Sequence, residues 1–360
     1  MKKRVLSSIL CGVLAVTALV GCGNEDSSNV AESNLKVGLV TNIGSIDDRS
    51  FNQGAWEGIT QAEEAFGIEK KYLQAAGETD ADALNEIANF NDAGFDLVVG
   101  AGFQFGTPIH EAQTKYPDMK FLVIDSVAHN GDYVADMKEN TVAVMFDEHE
   151  AGFLAGLAAA VELKEGEAGF IGGMETDAVK RYNWGYQQGI QYANEHYGTN
   201  VTMNASHFIY QGTFTDIAAG QQISAQLYDQ GVDVIFSAAG AVGSGVIKEA
   251  SERAQKGDNV WVIGVDSDQY QDGLYGEKSV VLTSAMKKIN TATFDVIQLA
   301  TEGKFPGGQT LTYNVKNDGV GIPEENPNLS DDTMKIVNEV YAKMKAGEIT
   351  VANEGTGLIA

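Results

Sequence analysis

Leu97-Val98-Val99-Gly100-Ala101 is apolar at five successive positions. A strand that buries one face alternates apolar and polar residues, whereas one that is apolar throughout buries both faces. Burial on both faces is what parallel strands covered by helices require. Working outward, Lys36–Thr41, Lys120–Ile124 and Thr141–Phe146 read as further strands of this kind. A second set follows at Ala168–Gly172, Val201–Tyr210, Val232–Ser237, Val260–Val265 and Ser279–Ser284. Between them, Phe51–Phe66, Asp80–Ala93, Glu148–Leu163, Asp216–Gln230, Ser244–Gln255 and Met286–Thr301 carry apolar residues at helical spacing. Thr79-Asp80 and Thr215-Asp216 have the character of N-caps. Repeated βα units predict doubly wound parallel sheets with right-handed crossovers. About 325 globular residues exceed a comfortable single core. Two similar α/β lobes are expected, the first ending near Phe146.

Ligands of open parallel sheets bind beyond the carboxyl ends of the strands. The first strand is followed by Gly44-Ser45-Ile46-Asp47-Asp48-Arg49-Ser50-Phe51-Asn52, and Leu97–Ala101 by Gly102-Phe103-Gln104-Phe105. Asp125 follows Val123-Ile124, and Phe214 follows Tyr210-Gln211-Gly212-Thr213. Gly240 follows Ser237-Ala238-Ala239, Asp266 follows Gly264-Val265, and Lys287 follows Ser284-Ala285-Met286. Singly, each has an ordinary structural explanation. Phe51 can be core, Asp125 and Asp266 can cap the helix or turn after them, and Lys287 can be a solvated helix charge. Together, two aromatics, two carboxylates and a lysine converge on one face. Aromatic faces stack on planar rings for about 1–3 kcal/mol per base. Carboxylates accept hydroxyl protons in charge-assisted bonds, which suits a sugar diol. A flat ring attached to a polyol fits this set better than a bare sugar or amino acid.

Other chemistries lack their signatures. Gly240-Ala241-Val242-Gly243-Ser244-Gly245 has neither the lysine of a P-loop nor the dinucleotide spacing, and reads as a tight turn that lets backbone approach a ligand. Histidines 110, 129, 149, 196 and 207 show no metal-ligand spacing, so no metal or cofactor is expected. No serine sits in a nucleophile elbow.

The amino terminus indicates where the chain works. Met1-Lys2-Lys3-Arg4 precedes an apolar stretch from Val5 to Val20, then Leu19-Val20-Gly21-Cys22. A charged start and a short apolar core make a secretory signal over residues 1–21. The Leu-to-Cys run resembles the lipobox of bacterial lipoproteins, which implies diacylation of Cys22 after cleavage. Residues 22–35 would then be a flexible tether spanning about 20 Å, on a domain held at the extracytoplasmic face of the cell membrane. Removing residues 1–21 takes the formal charge from −26 to −29, which excludes nucleic acid as a partner. Cys11 lies in the signal, so only Cys22 would remain and no intramolecular disulfide is possible.

The strand-end residues also carry a family resemblance. Val37-Gly38-Leu39-Val40-Thr41 through Asp48-Arg49-Ser50-Phe51-Asn52-Gln53 resembles the opening of the basic membrane protein (BMP) lipoproteins, the purine nucleoside receptor A-like family. Gly100-Ala101-Gly102-Phe103, Tyr116-Pro117-Asp118, Glu150-Ala151-Gly152-Phe153-Leu154-Ala155-Gly156, Gly264-Val265-Asp266 and Thr283-Ser284-Ala285-Met286-Lys287 extend the resemblance over nearly all of the mature chain. It implies a type I periplasmic-binding-protein fold, with lobes crossed three times and a ligand closed in the cleft. The expected lobes are 36–147 plus 286–315, and 148–285 plus 316–360. It further implies delivery of nucleosides, purine ones foremost, to an ABC permease and its ATPase by a monomeric receptor. By position, Phe51 and Phe214 would sandwich the base, with Asp48, Asn52 and Asp125 reading its edge. Asp266 and Lys287 would hold ribose hydroxyls, and Gly240 would offer backbone near the sugar. Tyr182 or Trp184 is the alternative second face; many relatives have phenylalanine at the position of Tyr182. Outside this reading stand a sugar- or signal-binding sensor of the same fold and, by residue type alone, a nucleosidase using the carboxylates as acid and base.

Overall fold

The computed structural model describes residues 33–41 and 43–359. Residues 1–32, on which the expected signal segment, Cys22 and most of the expected tether fall, lie outside the described residues. The chain begins with β1 (Lys36–Thr41), α1 (Phe51–Phe66), β2 (Glu69–Gln74), α2 (Asp80–Asp92) and β3 (Leu97–Ala101). It continues through α3 (Gly106–Lys115), β4 (Lys120–Ile124) and β5 (Thr141–Phe146). Then come α4 (Glu148–Leu163), β6 (Glu165–Gly172), α5 (Asp177–Tyr197), β7 (Asn200–Tyr210), α6 (Ile217–Asp229) and β8 (Val234–Ala238). Next are α7 (Ala241–Lys256), β9 (Trp261–Asp266), a short hairpin of β10 (Leu274–Tyr275) and β11 (Lys278–Ser279), and β12 (Val281–Lys287). The last elements are α8 (Ile289–Thr301), β13 (Thr310–Tyr313), β14 (Val320–Gly321) and α9 (Asp331–Lys345).

Two six-stranded sheets result, ordered β13-β5-β4-β3-β1-β2 and β14-β12-β9-β8-β6-β7. All pairings within them are parallel except β12 with β14. The two orders are the same pattern, so β4 in one lobe corresponds to β9 in the other, and β5 to β12. The chain passes between sheets after β5, after β12 and after β13. In the first sheet Val98 and Val123 face Ile87, Phe90 and Ile109 of α2 and α3. Leu97, Val99 and Leu122 join the cluster that contains Ile59 of α1 and Val296 of α8. Every residue of β3 is buried, as its unbroken apolar run requires. Thr79 caps α2 in a capping box with Asp82, and Asp216 caps α6 through Ala219 N at 2.9 Å. The helix expected from Met286 starts instead at Ile289. Met286 pairs with Asp266 across the sheet, so Lys287 is a strand-end residue.

In the second lobe α4 is apolar all round from Ala151 to Val161 and buried along that length, as a helix enclosed by others must be. It meets α5 through two glycine pairs with the same spacing, Gly152 and Gly156 against Gly185 and Gly189. A Cβ on Gly185 would lie 2.0 Å from the His149 carbonyl oxygen, and one on Gly189 2.1 Å from that of Phe153. No described helix is long and apolar enough to cross a membrane.

Candidate functional site

The β1–α1 turn is built on Asp48. Its Oδ1 accepts the backbone N–H groups of Ser50 (3.0 Å) and Gln53 (3.1 Å), and its Oδ2 accepts the backbone N–H (2.9 Å) and side-chain amide (2.8 Å) of Asn52. Burial still holds its pKa above the ordinary value. Asn52 spends its other amide proton on the Ile43 carbonyl at 3.0 Å. Only the carbonyl oxygen of the Asn52 side chain is left for another partner. In this arrangement both oxygens of Asp48 serve the start of α1. That start presents Phe51 to the cleft, with Lys287 Nζ 5.2 Å from its ring centre.

Around Lys287 lies a cluster of buried charges. Its ammonium pairs with Asp125 from the first lobe and sits 3.0 Å from Glu148 Oε1 at the start of α4. Glu148 Oε2 takes the Nε–H of Arg181 on α5 at 2.7 Å. The ring centres of Phe146 and Tyr182 lie 5.0 and 6.0 Å from the same ammonium, a favourable cation–π placement. The Lys287 side chain is 2% exposed and Glu148 is not exposed at all. Burial opposes the charge on Lys287, but Asp125, Glu148 and Asp266 overcome it and hold its pKa above that of a free lysine. Burial likewise raises Asp125, to about 6, against the pull of Lys287. Glu148 also resists burial, yet Lys287 and Arg181 together hold it below its ordinary value. The two carboxylates diverge because Glu148 has two cations beside it, whereas Asp125 has one.

Asp125 and Asp266 occupy corresponding places, after β4 and at the end of β9, and both have left-handed φ (61° and 64°). Aspartate tolerates that region better than most residues. Neither caps a helix; both reach across the cleft. Asp266 accepts the hydroxyl of Ser50 from the first lobe and that of Tyr182 at 3.2 Å. Burial raises its pKa despite Lys287 and these donors. Burial, then Asp266, Glu148 and Asp125, drive the Tyr182 phenol well above its ordinary value, so it remains a donor.

The lobes are clasped beside this cluster. The Arg49 carbonyl accepts Ser267 Oγ at 3.0 Å and Gln269 Nε2 at 3.1 Å, while its guanidinium pairs with Asp272. Gln269 is buried, and its Oε1 accepts Val265 N–H at 3.0 Å. A Gln269→Leu variant leaves the buried Val265 N–H without its partner and the Arg49 carbonyl with Ser267 alone. It is expected to cost about 1–3 kcal/mol and to let the lobes splay. Urea unfolding and the radius of gyration in X-ray scattering check this. An unchanged radius would show that the clasp does not hold the lobes.

Phe214 and Gly240 lie together further along the second lobe. Phe214 packs its ring on Gly173, where a Cβ would come within 2.3 Å, and Gly240 (φ 57°) has room only for a Cβ 3.3 Å from Phe214. Trp184 sits elsewhere: its indole lies against Gly355. Of the three expected second-face residues, the placement of Trp184 leaves Tyr182 and Phe214. Glu148, Arg181, Ser50, Phe146 and Gln269 were not anticipated from the sequence. Applying the strand-end rule to β5 finds Phe146 and Glu148, because α4 starts two residues after the strand ends.

Two parallel-sheet lobes meeting at the carboxyl ends of their strands over a shared charged cleft define the type I periplasmic-binding-protein fold. An ABC transporter solute-binding protein from Aeropyrum pernix K1 superposes with a TM-score of 0.77 at 24% identity, over 89% of this chain and 94% of its own. The chain belongs to the Bmp family, ABC transporter substrate-binding proteins that are PnrA-like, whose model matches residues 35–354. It is 34% identical, over 98% of its length and all of the relative's, to the "ABC transporter nucleoside-binding protein BmpA" of Lactococcus lactis. It is 30% identical, over 89% of its length and 77% of the relative's, to a lipoprotein of Pyrococcus abyssi.

Proposed function

We propose that this substrate-binding protein captures a nucleoside, purine foremost, and hands it to an ABC permease and its ATPase. The observation that carries the reading is the joint placement of Phe51, Tyr182, Asp125, Asp266 and Lys287 where the lobes meet. Phe51 offers a stacking face for the base, with Tyr182 or Phe214 opposite, and Asn52 and Asp125 read its edge. Asp266 and Lys287 engage ribose hydroxyls, and Gly240 leaves backbone close to the sugar. The expected lobes, 36–147 plus 286–315 and 148–285 plus 316–360, with Met286 and Lys287 kept in the second because β12 pairs through them with β9 and β14, would move as bodies about the three crossings, closing because the ligand's contacts exist only in the closed form. The lipoprotein relative and the Cys22 sequence support an anchor at the extracytoplasmic face of the membrane. The protein acts by binding, not as an enzyme.

The test is calorimetric titration with guanosine, adenosine, cytidine and ribose. Saturable binding of nucleosides but not ribose is expected, and binding of ribose alone would overturn the reading. Phe51→Ala should weaken nucleoside binding by about 1–3 kcal/mol, or 5- to 150-fold, if stacking carries the base. Undiminished affinity would remove stacking from the account. Free base released from inosine would convert the reading to a nucleosidase.

A further inference from the structure

We infer that Glu148 is a positioning residue: it holds the Lys287 ammonium, within the second lobe alone, aimed into the cleft. The geometry separates it from the other partner of Lys287. Asp125 stands on the first lobe and reaches Lys287 only when the lobes meet. Glu148 and Lys287 both belong to the second lobe, where α4 packs on β12. Arg181 Nε takes one Glu148 oxygen at 2.7 Å, which leaves the other 3.0 Å from Lys287 Nζ. Arg181 thus fixes the carboxylate, and the carboxylate fixes the lysine. A fully buried ammonium without a counter-charge would lose its proton or turn toward water. With Glu148 beside it, Lys287 keeps charge and direction while the lobes are apart, and Asp125 completes the set on closure. The inference rests on reading the cleft as a ligand site, but its test does not depend on the ligand.

The groups facing Lys287 are Asp125 beyond β4, Glu148 on α4, Arg181 and Tyr182 on α5, Asp266 at the end of β9, and the rings of Phe51 and Phe146. The full chain, with lysines labelled at Cε, is followed by nuclear magnetic resonance between pH 7 and 11. The Lys287 signal is assigned from its loss in Lys287→Arg. In the wild type it stays protonated beyond the ordinary lysine range. In Glu148→Gln the midpoint falls inside this range, below pH 11, whereas Glu148→Asp, which keeps the charge, stays protonated with the wild type. A Glu148→Gln lysine that stays protonated to pH 11 as the wild type's does overturns the inference. Asp125→Asn gives a second route should Glu148→Gln not fold. Its Lys287 should stay charged past pH 10, held by Glu148, and a midpoint below that of a free lysine overturns the assignment. Guanosine affinity adds a separate arm: Glu148→Gln should lose at least tenfold at pH 9 and less at pH 7. Failure of the wild type to bind any of guanosine, adenosine and cytidine overturns the nucleoside reading, and the lysine titration then decides Glu148 by itself.

Discussion

Lys287→Met is expected to abolish nucleoside binding and to cost about 3–5 kcal/mol of stability at pH 8, the range for stripping one partner from a buried ion pair. The reason lies in what remains. Asp125 would keep its burial and lose its only close cation, with Glu148 and Asp266 still nearby to repel it. Glu148 would retain Arg181, so most of the penalty falls on Asp125 and Asp266. Their folded pKa values, already raised by burial, would rise further. A carboxyl whose folded pKa exceeds its unfolded value gives stability that is greatest at low pH and is lost as pH rises through the folded value. The deficit of the variant should therefore shrink as pH falls from 8 to 5. In the wild type the same sign applies to Asp125 in the window from 3.8 to about 6. Lys287 contributes with the same sign in a higher window: its raised pKa gives stability that is whole below the ordinary lysine range and is lost as pH rises above it. Urea midpoints at pH 5 and 8 for both proteins decide the matter. An equal deficit at the two pH values would mean that the loss is one of packing, not of charge.

Much of this architecture was legible from residues that pack on both faces. The strands β1, β3, β4 and β5 lie at the bounds the sequence suggested, because a run such as Leu97–Ala101 has no polar residue that could seek water. β2 gave no such signal. Glu69-Lys70-Lys71-Tyr72-Leu73-Gln74 is an edge strand paired only with β1, and charge is tolerated, even useful, at an edge. Helix α5 was hidden by its composition: Arg181-Tyr182-Asn183-Trp184-Gly185 mixes polar, aromatic and glycine residues. Burial of Asn183 depends on a hydrogen bond to the Tyr210 hydroxyl at 3.0 Å, which no local pattern contains. The site was legible where single residues end strands, as with Asp125, Asp266 and Lys287. It was opaque where a role depends on the opposite lobe or on a second helix. Ser50 gains its role only from Asp266, and Glu148 only from Arg181 and Lys287. Asp48 shows the reverse limit: its type suits a ligand, but the four N–H groups it accepts belong to the chain itself.

The α4–α5 contact makes the second large expectation, and two opposing effects must be weighed. Taken as an isolated helix residue, Gly185→Ala should stabilise by about 0.5–1 kcal/mol, since alanine loses less entropy on folding into a helix. The contact says otherwise. The new methyl carbon would lie 2.0 Å from the His149 carbonyl oxygen and 2.7 Å from its carbonyl carbon. These are backbone atoms of a buried helix, so no side chain can swing aside. The helices must separate, and overpacking of this kind typically costs about 1–3 kcal/mol or more. We expect a net loss of about 2 kcal/mol or more. Separation also moves Arg181 and Tyr182 away from Glu148 and Asp266, so nucleoside affinity should fall together with stability. Gly243→Ala in α7 is the matched control. It receives the same helical gain, yet its nearest obstacle is the Ser237 hydroxyl at 3.1 Å, at the end of a short side chain. Its stability should stay near that of the wild type. Thermal and urea unfolding of both variants, with guanosine titration alongside, separates the effects. Should Gly185→Ala prove as stable as Gly243→Ala, the close approach of α4 and α5 would not be what holds the charged cluster together.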